Sequence, residues 1–96
     1  MDLSIIIVNW NTRDMLRNCL YSLIKTTNGQ RVNIIVVDNS SKDGSREMVQ
    51  TLFPNVILIS SGGNIGFARA NNLGIGYTNS PFILFLNPDT LGPKQV

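Results

Sequence analysis

The sequence lacks most of the features that would assign a chain to a class outright. Its 96 residues include one cysteine, Cys19, so neither an internal disulfide nor a cysteine-based metal cage can form, and a reducing compartment suits it. The 8 Lys+Arg and 6 Asp+Glu are thinly spread. No basic run of the kind that follows a nucleic-acid backbone occurs, so nucleic acid is not an expected partner. No stretch approaches the roughly 20 apolar residues of a membrane span. The amino end carries Asp2 where a secretory leader carries positive charge, and its apolar run stops at Asn9. There is no G-K-[ST], which argues against a nucleoside triphosphatase, and there is neither internal repeat nor low-complexity segment. A chain of this length holds at most one domain, burying about two-thirds of its unfolded surface, and is expected to be a piece of a longer protein.

What is present is a regular alternation. Residues 3–8, 32–37, 56–59 and 82–86 are apolar runs that read as strands, the first buried and the last buried on both faces. Between the first two, Met15, Leu16, Cys19, Leu20, Leu23 and Ile24 recur at helical spacing. Thr12 is placed to cap that helix, Asp14 suits the positive end of its dipole, and Asn28-Gly29 ends the unit in a turn. Met48, Val49, Leu52 and Phe53 mark a second helix stopped by Pro54. A third runs over about residues 66–77, behind a glycine-rich loop. Strand and helix alternate throughout, which predicts an α/β fold: a mostly parallel, four-stranded, partial doubly wound sheet with flanking helices.

In such a sheet the loops after the strands share one rim, where ligands bind. That rim would gather Asn9-Trp10-Asn11, Asp38, the loop around Gly62-Gly63-Asn64, and Asp89 after Asn87-Pro88. Asp38 closes an apolar strand. An acid there accepts hydrogen bonds from a ribose or a base, or else forms an Asx turn with Asn39 and Ser40. The stretch 64–74 sets two adjacent asparagines and Gly74 inside a helix, at up to roughly 1 kcal/mol for a glycine against alanine. Ligand contact by Asn64, Gly66, Arg69 and Asn71 at a phosphate-binding helix start is one explanation. Close packing at Gly74 and a satisfied core amide at Asn71 are the other. Asp89, ionised at neutral pH, suits Mg²⁺ or Mn²⁺ shared with a diphosphate. Trp10 stands between a core or interface role and base stacking, and Cys19, on the buried stripe, carries no chemistry.

Four motifs in order, "SIIIVNWN" at 4–11, "VVDNSSKDGS" at 36–45, "NIGFARANNLGI" at 64–75 and "FLNPDT" at 85–90, resemble the amino-terminal half of the family-2 glycosyltransferases, in their rhamnosyltransferase-like branch. The resemblance covers essentially the whole chain. It implies a Rossmann-like sheet of the GT-A type, a nucleotide-diphospho-sugar donor, a divalent metal, and inverting transfer to a hydroxyl of a glycan or lipid-linked acceptor on the cytoplasmic side. It also implies that Val8 and Asn9 line the base and ribose pocket, that Asp38 holds the nucleoside, and that Asp89 is the second acid of an Asp-x-Asp metal motif. Asn87 stands in place of the first acid and removes a negative charge. The resemblance implies a general base beyond Val96, so the chain alone is expected to be inactive; it also implies that the strand beginning at Phe82 is interior in the family's sheet, so the chain alone is expected to self-associate through the Phe82–Leu86 strand edge. Two other classes fit less well. One is a non-catalytic nucleotide-binding or interaction module of the same fold. The other is a dinucleotide-binding dehydrogenase domain, weakened because Asn9-Trp10-Asn11-Thr12 follows the first strand instead of G-x-G-x-x-G.

Overall fold

A computed structural model describes residues 2–27 and 30–88; the turn expected at Asn28-Gly29, and Asp89 with all that follows it, lie outside these residues. The elements run β1 (Leu3–Asn9), α1 (Arg13–Thr26), β2 (Val32–Asp38), α2 (Ser45–Leu52), β3 (Ile57–Ser60), α3 (Phe67–Ile75) and β4 (Phe82–Leu86). Every observed pairing is parallel, and among the described residues the strand order is β3-β2-β1-β4. The chain therefore builds outward from β1 through β2 to β3, then α3 carries it back to the other side of β1.

The alternation of side chains along β1 and β2 fixes which face each helix covers. Ile5, Ile7, Ile34 and Val36 face α1 and α2, joining Leu16, Cys19, Leu20, Leu23, Val49 and Phe53 in one core layer. Ile6, Val8, Ile35 and Val37 face the other way, onto Ala70 of α3 and Ile59. Covered on both sides, these strands carry near-continuous β-branched runs, as interior parallel strands do.

Three expectations need correction. Met15 and Ile24 do not join the buried stripe of α1; they are about half exposed, and the stripe narrows to Leu16, Cys19, Leu20 and Leu23, the i, i+3, i+4, i+7 set that one helix presents to one sheet. Thr12 precedes α1 but makes no side-chain cap; its hydroxyl donates instead to Asn9 Oδ1 at 2.6 Å. β4 is not buried on both faces. Phe82, Leu84 and Phe85 are 53%, 44% and 47% exposed, and among the described residues β4 is an outer strand of the sheet.

The glycine inside α3 has a packing reason. A Cβ on Gly74 would sit 2.8 Å from Ile6 Cγ2 and 3.2 Å from Val37 Cγ2, so its absence lets the helix lie close on the sheet.

Candidate functional site

β1 and β2 each extend one residue past the expected apolar run, and the added residues, Asn9 and Asp38, are direct neighbours in the ladder. Both are buried. Asn9 Nδ2 donates to Asp38 Oδ1 (3.1 Å) and lies 3.2 Å from Ser41 Oγ, while the Ser41 N–H donates to Asp38 Oδ2 (2.9 Å). Arg46 Nε stands 3.7 Å from the same oxygen. The Asp38 carboxylate is 1% exposed, with both oxygens held by protein groups. Its parity along β2 places it with Ile34 and Val36 on the α1/α2 face. Stripping it away would leave two buried donors without acceptors, at roughly 1–3 kcal/mol each.

The opening at the rim is on the other side of β1. A cleft of ≈ 340 Å³ is lined by Val8 and Trp10 of β1 and its loop, Thr12, Asn39, Asn64, Phe67 at the start of α3, and Pro88 after β4. This is the point where the chain reverses its direction of travel across the sheet, with β2 on one side of β1 and β4 on the other, and open α/β sheets bind ligands at that switch. Trp10 and Phe67 are 53% and 54% exposed, two aromatic surfaces in one cleft. The floor is braced: Asn39 Nδ2 donates to Asn64 Oδ1 (2.9 Å), and Asn39 Oδ1 accepts from the Ile65 N–H (3.0 Å) and the Ser61 hydroxyl (3.1 Å).

Of the expected site residues, Val8 and Asn64 line this cleft. Asn9 and Asp38 lie behind its wall. Gly66 precedes α3 with φ +87°, and α3 begins without a side-chain cap, leaving the N–H groups of its first turn unclaimed by any capping side chain. Arg69 is exposed in that turn, Asn71 is half-buried further along, and Asn87 is exposed just past β4. Asp89 lies outside the described residues. Among the described residues no three His, Cys, Asp or Glu side chains gather to hold a metal, and no carboxylate lines the cleft. The described part of the site can bind and orient a ligand; it offers no group to move a proton.

Sequence reasoning missed Asn39, Thr12, Phe67 and Pro88 as lining residues. Asn39 had a readable signal: it follows an acid whose strand parity turns it away from the α3 side.

These features define an open, doubly wound α/β sheet with a ligand cleft at its switch point. The chain belongs to glycosyl transferase family 2, whose sequence model matches residues 4–95. It is 40% identical over 92 residues to a low-salt glycan biosynthesis hexosyltransferase, Agl10, of Haloferax volcanii, covering 92% of this chain and 28% of that protein. It is 31% identical over 91 residues to a teichoic acid poly(glycerol phosphate) polymerase of Staphylococcus epidermidis, covering 91% of this chain and 12% of that one. Among solved structures it resembles the mannosyltransferase PcManGT of Pyrobaculum calidifontis in complex with GDP-Man and Mn²⁺ (TM-score 0.83, 20% identity, 96% of this chain and 28% of that chain). It also resembles TarS of S. aureus in complex with UDP (TM-score 0.78, 24% identity, 93% of this chain and 28% of that chain). The fold is therefore Rossmann-like, of the GT-A type, and the chain spans less than a third of the length of these proteins.

Proposed function

We propose that the protein carrying this sequence transfers a sugar from a nucleotide-diphosphate donor, a UDP- or dTDP-sugar, to a hydroxyl of a glycan or lipid-linked acceptor. The transfer proceeds with inversion, in glycan or cell-surface polysaccharide synthesis on the cytoplasmic side, and this chain supplies the donor-binding half. The observation that carries the reading is the switch-point cleft with Trp10 and Phe67 in it. Flat aromatic faces suit a nucleobase, each such stack contributing about 1–3 kcal/mol. The uncapped start of α3, with Arg69 in its first turn, suits the diphosphate. Asn87, where the wider family has an acid, favours the rhamnosyltransferase-like branch.

Mg²⁺ or Mn²⁺ is proposed to be held in part by Asp89, and when bound it neutralises charge on the leaving diphosphate. Among the described residues no carboxylate lines the cleft. A non-catalytic nucleotide-binding module would share the cleft; the similarity to two biosynthetic enzymes over more than nine-tenths of the chain favours the transferase.

Calorimetry of the 96-residue chain with UDP, dTDP and GDP, with and without Mn²⁺, tests the reading. Binding near the millimolar range is expected, about −4 kcal/mol, strengthened by the metal. No heat and no chemical-shift change at tens of millimolar nucleotide, in a folded sample, would overturn it.

A further inference from the structure

Neither α1 nor α2 is capped by its own N-cap side chain, yet the first N–H of each is taken by one carboxylate. Asp43 Oδ2 accepts from the N–H of Arg13, the first residue of α1, at 2.9 Å. Asp43 Oδ1 accepts from the Ser45 N–H, the first of α2, at 3.0 Å, and from the Ser45 hydroxyl. Arg13 Nη1 returns a bond to the Asp43 carbonyl at 3.1 Å. Just above, the Asn11 N–H donates to Ser41 Oγ (2.9 Å) and the Lys42 N–H to Asn11 Oδ1 (2.8 Å). With the Asn9 contacts to Asp38 and Ser41, the loops after β1 and β2 are joined along their whole length.

The consequence lies in the alternation. Asn9, Asn11 and Arg13 bond sideways to the β2–α2 loop, while Trp10 and Thr12, between them, line the cleft. Asn11 sits at φ +53° and Ser40 at φ +71°. Such conformations are uncommon for residues other than glycine and persist where the surroundings over-determine them. We propose that Asp43 is a positioning residue for the cleft: by capping two helices with one carboxylate it fixes the register between the loops and so aims Trp10 and Thr12. In its connection to nucleotide binding this rests on the donor-site reading above.

Trp10 is the one tryptophan of the chain, so its fluorescence reports this wall alone. Asp43→Ala removes both caps; Asp43→Asn keeps one acceptor oxygen and serves if the alanine variant does not fold. Ile34→Val, in the α1/α2 core layer away from these loops, is the control for a general loss of stability. Well below the unfolding transition, Asp43→Ala is expected to raise acrylamide quenching of Trp10 and to speed amide exchange at Asn11 and Lys42 by about fivefold or more for the loss of an ordinary cap, with Asp43→Asn intermediate and Ile34→Val unchanged. If quenching and exchange in the Asp43 variants match wild type, or if the control shifts them equally, the inference is overturned. UDP and Mn²⁺ titrations accompany these readouts. Failure of wild type to bind counts against the donor-site reading alone, whereas wild-type-like affinity in a variant whose wall has loosened would remove the link between wall and nucleotide.

Discussion

Two aspartates show how much of a site depends on direction, which a linear sequence carries only in part. Asp38 was legible as a strand-end acid, and the structure puts it there. That its carboxylate turns under the α1/α2 face, into bonds with Asn9 and Ser41, follows from strand parity and could have been derived by continuing the alternation from Ile34 and Val36. Asp43 lies in a run, residues 38–45, whose residue types are those of turns and helix caps, which points to α2 but not to α1. Capping rules examine the residues immediately before a helix, and here the acceptor for α1 comes from 30 residues away, a pairing that exists only once β1 and β2 lie side by side. Burial by itself would raise the Asp43 pKa, but hydrogen bonds from the Ser45 hydroxyl and the Arg13 and Ser45 N–H groups outweigh it and lower the pKa. A carboxylate with a lowered folded-state pKa contributes stability that is complete above its unfolded value, about 3.9, and is lost as pH falls through the folded value. Chemical unfolding between pH 6 and pH 2 should therefore show wild type losing more stability than Asp43→Asn on the acid side. Parallel curves would show that the carboxylate charge adds nothing to the two caps.

At the scale of elements, periodicity located all seven described helices and strands but not all of their ends. Asn9 and Asp38 belong to their strands through ladder pairing rather than apolar character, and α3 stops at Ile75, before the expected end. Gly74 had two readings in the sequence, ligand contact or close packing; the 2.8 Å approach of Ile6 Cγ2 to its missing Cβ identifies packing. Two effects then oppose each other in Gly74→Ala. Helix propensity favours alanine by about 1 kcal/mol, while overpacking against two β-branched strand residues costs about 1–3 kcal/mol. Overpacking should win, because the clashing atoms sit on interior strands that cannot move apart. Net destabilisation of up to about 2 kcal/mol is expected, read as a fall in Tm of about 4–8 °C per kcal/mol in a domain of this size. Gly76→Ala, whose Cβ would meet only the Leu73 carbonyl at 3.4 Å, should leave Tm nearly unchanged. A Gly74→Ala variant as stable as wild type would show that α3 shifts freely on the sheet.

The whole molecule is lopsided. β3 is short, whereas β4 presents Phe82, Leu84 and Phe85 about half exposed along its outer side in a strand without a charge, a proline or a bulge to blunt it. Among the described residues no strand pairs with its outer side, and an edge that offers unpaired N–H and C=O groups together with apolar side chains is the combination that recruits another strand. The segment is also complementary to itself. Antiparallel pairing about Leu84 sets Phe82 opposite Leu86 and Ile83 opposite Phe85, so each cross-strand pair is apolar and each contributes about 0.2–1 kcal/mol beyond the backbone bonds. Closed two-fold dimers are the commonest homo-oligomers, and the 96-residue chain by itself is expected to form one through this edge. Sedimentation at tens of micromolar should show a concentration-dependent dimer, and Leu84→Lys, which places like charges at the axis, should return it to monomer. Wild-type chain that stays monomeric throughout, or a dimer that Leu84→Lys leaves intact, would show that β4 is not the surface that pairs.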